Sequence, residues 1–472
     1  MPSYLFIFAQ THAEFRLPEL ESIAELHGFA IHNMSRDTSS PFAVYGLDSD
    51  EHARILAKRC ILLKHVYEFY AQGATYEELH SANEKSRHLW SHYAQDASFK
   101  FVVSAHNHTI PSSRHRTIME SFNYMDFRGE ITLKNPQVTL GIFEDYEKSS
   151  HVSATPSIRD SSFRQVYFGR LVSDNIFLVG GGITGPQIAD GEARSLIGVF
   201  DVKKRLYYGN TSMESEVSLL MANQALATSS KLIYDPFCGT GSMAYPVAYF
   251  GAQVYGSDID GRQIRGKGGK DSPPGVLKAA QQYGVADRII DLCTFDVTVN
   301  PWRCGNLFDA IVTDPPYGVR AGAKRLGRKK ELSEEKKAAN IEHQRSARNR
   351  LEPYIPPTKP YELSALVVDL VLLARYLLKP KGRLVFFLPT VNESYEEVDV
   401  HSMLCEGMTL VANSLQDFGS WGRRLVTIRK DTEQDFAAPT FTEHAPPNHV
   451  PAHKDFRDQY FRGFKNPEAA QE

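Results

Sequence analysis

Along the first seventy residues, compact apolar runs alternate with amphipathic stretches. YLFIFAQ (4–10) and FAVYGL (42–47) read as apolar strands, and ILLKHVYEFYAQG (61–73) as a third. Between them, FRLPELESIAELHG (15–28) places apolar residues at helical spacing and stops on Gly28, while SDEHARILAKRC (49–60) opens on Ser or Asp caps. Two strand–helix–strand halves predict a ferredoxin-like α+β domain over 1–73. A second α+β unit, 74–205, carries strands at 98–105, 136–146 and 164–172 and a helix at 112–125 with Arg114 and Arg116 near its start. The passage 176–191 is Gly-rich. Its GGGITG (180–185) satisfies G-x-G-x-x-G, but Pro186 and Gly191 follow where a dinucleotide site needs a helix, so a loop or hairpin tip is expected.

From Leu206 the period lengthens. SMESEVSLLMANQALA (212–227) predicts a helix opened by a cap at Ser212. Strand KLIYD, a Gly-rich turn and helix SMAYPVAYF follow, then strands AQVYGSD, RIIDLCTFD and FDAIVTD, helix 362–378 and strand KGRLVFFLP (381–389). LVANSLQDF and RRLVTIRK close the series as a hairpin. Strands and helices alternating in this way predict a doubly wound, Rossmann-like α/β domain over 206–434 with an antiparallel end. The tail 435–472 is rich in Pro, His and charge, and FRDQYFRGF (456–464) is its one segment suited to docking.

A chain of 472 residues with 42% hydrophobic content is too long for a single core, consistent with several domains. The formal net charge of -3 neither supports nor excludes nucleic acid, because an electrostatic footprint is local. Five scattered cysteines without CxxC spacing fit a reducing compartment and offer no zinc site. His106 and His108 have no cysteine nearby and read as surface residues, so no metal is expected. The start MPSYLFIFAQ is not a signal peptide. The longest apolar run, 365–378, is broken by Asp369 and Arg375, so it reads as a buried helix and not a membrane span. These features leave cytosol or nucleus, and a cytoplasmic location is expected.

Chemistry concentrates in two motifs. DPFCGTGS (235–242) sits where an apolar strand ends and a helix begins, the place where open α/β sheets bind ligands. Gly239 and Gly241 let backbone amides come close to a ligand, and Asp235 can accept a hydrogen bond from an ammonium group. Asp258 ends the next strand and can accept both hydroxyls of a ribose, with Asp260 competing for that role. Asp296 ends the third strand and can receive the amine of an adenine. The second motif is TDPPYG (313–318). An exocyclic base amine is a poor nucleophile because its lone pair is conjugated with the ring. Asp314 can accept one of its N–H groups, and a carbonyl held by Pro315 and Pro316 the other, turning the lone pair toward a methyl group. Tyr317 offers a face on which an extruded base can stack.

DPFCGTGS followed by DPPYG resembles the class I amino-methyltransferases. RLYYGNTSMESEVSLLMANQALA, VYGSDIDGRQIRGKGG, DPPYGVRAG and SWGRRLV extend the likeness to the catalytic subunits of eukaryotic tRNA guanine-10 N2-methyltransferases, and residues 98–172 resemble their THUMP RNA-binding module. The resemblance weakens over 176–195, 325–360 and the tail. It implies S-adenosylmethionine as cofactor: Thr211 to Met213 would close over its methionine end, Asp235, Phe237, Gly239 and Gly241 would line it, Asp258 would hold the ribose, and Asp296 with Val297 would flank the adenine. Asp314, Pro315, Pro316 and Tyr317 would position a guanine. It also implies tRNA as substrate and, as obligate partner, a small zinc-binding activator subunit shared by several methyltransferases. Residues 320–350 hold eleven Lys/Arg against four Asp/Glu. Arg320, Lys324 and Arg325 in that run, with Arg114, Arg116 and Arg170, are the expected RNA contacts. Two other readings stand beside this one: an adenine N6 amino-methyltransferase on RNA or DNA, and a non-catalytic RNA-binding scaffold.

Overall fold

The computed structural model describes residues 1–147, 162–172, 192–266, 275–318, 322–327, 339, 341–342, 357–441, 451–454, 456 and 460–461. The chain divides into two compact units, Met1–Gly198 and Val199–Glu472. The Gly-rich passage 180–185 and most of the basic run 320–350 lie outside the described residues.

The first unit is built on one sheet of six strands: β1 (Ser3–Phe8), β2 (Phe42–Gly46), β3 (Leu63–Gly73), β4 (Phe99–His106), β5 (Val138–Tyr146) and β6 (Phe163–Leu171), in the order β2-β1-β3-β6-β5-β4. The sequence divides this region at 73/74. The sheet runs through that point, with β3 antiparallel to β6 and Glu68 opposite Arg170. The helix Arg16–His27 ends where Gly28 turns left-handed at φ 72°. Ser49 caps Asp50–Arg59 by accepting from the N–H of His52. The helix Tyr76–Lys85 was not assigned from periodicity. It opens on a reciprocal cap: the Glu78 N–H donates to the Thr75 hydroxyl at 3.2 Å, and the Ala74 N–H to the Glu78 carboxylate at 2.8 Å.

The second unit holds β7 (Leu232–Asp235), β8 (Gln253–Asp258), β9 (Ile289–Thr294), β10 (Phe308–Thr313), a two-stranded ladder of β11 (Lys324–Leu326) and β12 (Thr358–Pro360), then β13 (Leu378–Val391), β14 (Met408–Asp417) and β15 (Trp421–Lys430). Its seven-stranded sheet runs β14-β15-β13-β10-β7-β8-β9. β13, β10, β7, β8 and β9 are parallel, and β15 and β14 close one side antiparallel, as the sequence pattern predicts. The order reverses between β7 and β10, which opens a crevice at their carboxyl ends. β13 is buried over nearly all its length and packs with the apolar helix Leu363–Leu377 in one core that includes Tyr234, Phe308 and Phe386. Among the described residues no helix is long and apolar enough to cross a membrane.

One helix start departs from expectation. The helix read as 212–227 begins at Ser215. The Ser212 hydroxyl is instead taken up by the loop before it, accepting from the Gly209 N–H at 2.9 Å and bonding the Thr240 hydroxyl at 2.8 Å. Local side-chain bonds of this kind compete with helix formation.

Candidate active site

The crevice at the reversal point is a cavity of about 580 Å³, lined entirely from the second unit. The lining includes Thr211, Met213, Asp235, Phe237, Gly239, Asp258, Asp296, Val297 and Asp314 to Tyr317, so residues spread over more than a hundred positions converge on one space. Gly241 is the exception. It sits in the turn at φ 80°, where a Cβ would lie 2.7 Å from Val276 and 2.8 Å from the Tyr245 hydroxyl, so its part is to let the turn pack. Ser242 then fastens the loop above, accepting from the Met213 N–H at 3.0 Å and from Arg205 at 3.0 Å.

The acids sit at strand ends in distinct settings. Asp235 is buried. It accepts from the Thr313 hydroxyl at 2.7 Å and from the Phe237 N–H at 3.1 Å. Burial pushes its carboxyl up to about 7, against the pull of those two donors and with help from Asp258 and Asp314. Asp258 accepts from the Gly239 N–H at 2.9 Å and from the Asp260 N–H at 2.8 Å, which fixes its orientation, and burial raises its pKa. Asp260 caps the helix Gly261–Arg265 and pairs with Arg262 at 2.7 Å, so its carboxylate is occupied locally. Asp296 accepts from the Thr298 N–H at 2.8 Å and from the Leu326 N–H. The second bond ties the β11–β12 ladder to the far end of the cavity.

Asp314 to Tyr317 leave the end of β10, and Tyr317 forms a single bridge with Gly322. The same cavity holds Phe295 and Phe418, which the sequence pattern did not mark, together with Ser212 of the Thr211–Met213 loop and Tyr460 of the tail segment. Trp421 and Arg423 also line it. They lie in SWGRRLV, one of the segments that carry the family likeness. Arg423 spans from Gln416 at 2.6 Å to Glu214 at 3.0 Å, linking β15 to the loop that precedes helix Ser215–Gln224.

The expected RNA contacts fare unevenly. Arg170 has a side chain only 16% exposed, bonds Glu68 at 2.9 Å and Asp50 at 3.3 Å, and lies 5.1 Å over the Tyr93 ring. Arg114 makes a two-pronged pair with buried Glu144 at 2.7 and 3.0 Å. Arg170 thus ties β6 to β3, and Arg114 ties the helix Ser112–Glu120 to β5, so both guanidinium groups have carboxylate partners within the first unit. Arg116 is different, with a side chain 82% exposed beside Glu120. Lys324 is exposed on β11 and lines the cavity, Arg325 lies 5.2 Å over Tyr361, and Arg320 is outside the described residues. His106 bonds Asp145 at 2.8 Å and His108 stacks on Tyr146.

Two family models match the chain: the Tmrp11 THUMP N-terminal domain over residues 2–176, and the RMKL-like methyltransferase domain over residues 203–340. Among curated proteins, the chain is 35% identical over 471 residues to the tRNA (guanine(10)-N(2))-methyltransferase of Saccharomyces cerevisiae, covering 98% of this chain and 100% of that protein. It is 32% identical to the protein of the same description in Schizosaccharomyces pombe, covering 98% and 96%, and 32% identical to that in Homo sapiens, covering 98% and 95%.

Proposed function

Because the chain belongs to the tRNA (guanine(10)-N(2))-methyltransferase family, we propose that it methylates the exocyclic N2 amine of guanosine at position 10 of tRNA. One observation carries this reading beyond the likeness itself. The Asp-Pro-Pro-Tyr turn and the three strand-end acids, Asp235, Asp258 and Asp296, face one cavity. Its volume lies in the usual range for small-molecule sites, and its lining offers a partner of suitable chemistry for each part of S-adenosylmethionine. Asp235 suits the ammonium, Asp258 the ribose hydroxyls, and Asp296 with Val297 the adenine. S-adenosylmethionine supplies an electrophilic methyl group on a sulfonium.

The chain's own residues do the rest. Asp314 accepts one N–H of the target amine and a carbonyl of the Pro315–Pro316 turn the other. This weakens conjugation of the nitrogen with the ring and aims its lone pair. As positive charge grows on that nitrogen, the fixed carboxylate stabilises it, an interaction stronger in the transition state than in the ground state. The N–H proton it holds then passes to Asp314 and on to solvent, leaving the neutral methylamine. Tyr317 gives the extruded base a stacking surface.

A small zinc-binding activator subunit is part of the proposal. β9 is an edge strand pairing only with β8 among the described residues, and Ile290 on it is 51% exposed. An open edge strand that carries an exposed apolar side chain invites strand addition by a partner. Ile290→Lys should abolish co-purification with the activator while leaving donor affinity in place, and retained capture would place the partner elsewhere. A cytoplasmic location also belongs to this reading, supported by five cysteines free of disulfides.

The decisive test is nucleoside analysis of tRNA from cells lacking the protein. Loss of N2-methylguanosine at position 10 is expected. Loss of N6-methyladenosine would favour the adenine reading, and an unchanged profile would favour a scaffold.

A further inference from the structure

The C-terminal segment reaches the active site. Its backbone is anchored where the Ala452 N–H donates to Asp399 at 3.0 Å and the Ala452 carbonyl accepts from the Val391 N–H at 3.4 Å. Beyond that anchor, Phe456 is only 1% exposed. Its ring lies 6.4 Å from Tyr317 in an edge-on arrangement, 5.6 Å from Trp421 and 6.1 Å from Tyr460. Trp421 in turn meets Tyr460 edge-on at 5.4 Å and Phe418 at 4.6 Å. Tyr317, Phe418, Trp421 and Tyr460 all line the cavity that holds Asp314.

A tail that only added stability would bury all its aromatic rings against the core, but here Phe456 is buried and Tyr460 is not. This one instead sets Tyr460 into the cavity wall and uses Phe456 as the hub between that ring, Trp421 and the Tyr317 of the catalytic turn. A base drawn out of a helix loses its stacking neighbours and needs a replacement. Tyr317 supplies one surface. We propose that Tyr460 and Trp421 form a second aromatic wall against which the target base packs, and that Phe456 is a positioning residue holding the two walls together. This inference rests on the reading of the cavity as a base-methylating site.

A binding cycle on the full chain with its partner tests it. Two tRNAs are compared, one with guanine and one with an abasic nucleotide at the target position, each against wild type, Tyr460→Ala and Tyr460→Phe. Wild type should prefer the guanine tRNA by about tenfold, the order that one base–aromatic stack supplies. Tyr460→Ala should lose most of that preference, and Tyr460→Phe should keep it, since the ring face and not the hydroxyl makes the contact. Donor affinity should stay within about twofold in all three, given that stacking on the base leaves the donor contacts intact. A tail that merely anchors itself would weaken both tRNAs alike in Tyr460→Ala and leave the preference intact, which would overturn the proposal, as would a wild type with no preference. Label transfer to guanine N2 by the same wild-type preparation is scored separately. Its absence would sink the methyltransferase reading and not the wall.

Discussion

At the scale of single residues, Asp235 carries a testable electrostatic signature. Its folded pKa, about 7, lies above the value of about 3.9 expected in an unfolded chain. Its contribution to stability is therefore fully present below about pH 4 and is lost as pH rises through 7. An ammonium beside it reverses that preference by favouring the carboxylate. Donor affinity should thus rise roughly tenfold from pH 5.5 to 7, with uptake of the donor releasing a proton, below the range in which an α-amino group itself titrates. Calorimetry in buffers of different ionisation enthalpy measures the proton, and affinity independent of pH in that window would remove Asp235 from the ammonium site. Asp314→Asn bears on the chemistry instead. The amide keeps size but loses the anionic acceptor, so single-turnover rate should fall by roughly 10²–10⁴-fold with tRNA binding unchanged. A rate within about threefold of wild type, under 1 kcal/mol of barrier, would reduce the turn to a rigid corner.

Between residue and molecule, the elements show what was legible beforehand and why. Every strand of the catalytic sheet was readable, because apolar runs such as Leu232–Asp235 and Phe308–Thr313 end on, or one residue before, an acid that lines the cavity. The acids could be placed for the same reason: a strand end at a reversal point is a fixed location in this architecture. The tail's docking segment, 456–464, was readable, but the place where it docks was not. Phe456 and Tyr460 are held by ring contacts with Trp421, and no period along the chain signals a long-range aromatic cluster. The ion pairs of the arginines were not readable either. Sequence gives a charge but not its partner, and Arg170 stands directly across the ladder from Glu68. The two fates predict opposite phenotypes. Arg170→Ala leaves Glu68 and Asp50 without their cation and should destabilise the first unit by about 3 kcal/mol. Arg116→Ala should leave melting unchanged and weaken tRNA binding. Thermal melting paired with tRNA titration separates them, and a selective loss of tRNA binding in Arg170→Ala would restore it as an RNA contact.

For the whole molecule, the chain divides into Met1–Gly198 and Val199–Glu472, each with its own core. The cavity and all its acids belong to the second unit, while the exposed Arg116 and the THUMP match belong to the first. Residues 1–198 should therefore bind tRNA unaided, weakly and without sequence preference, because contacts to phosphate dominate affinity in such modules. With about three phosphates neutralised, affinity should fall roughly 40-fold between 50 and 200 mM salt. Residues 199–472 should bind the donor as the full chain does, yet turn over tRNA poorly for want of the first unit's hold. Filter binding of the first fragment across salt, with donor calorimetry on the second, checks both halves. Retention of tRNA by residues 1–198 that does not change with salt would mean that base or shape contacts, and not backbone charge, bring the substrate to the catalytic unit.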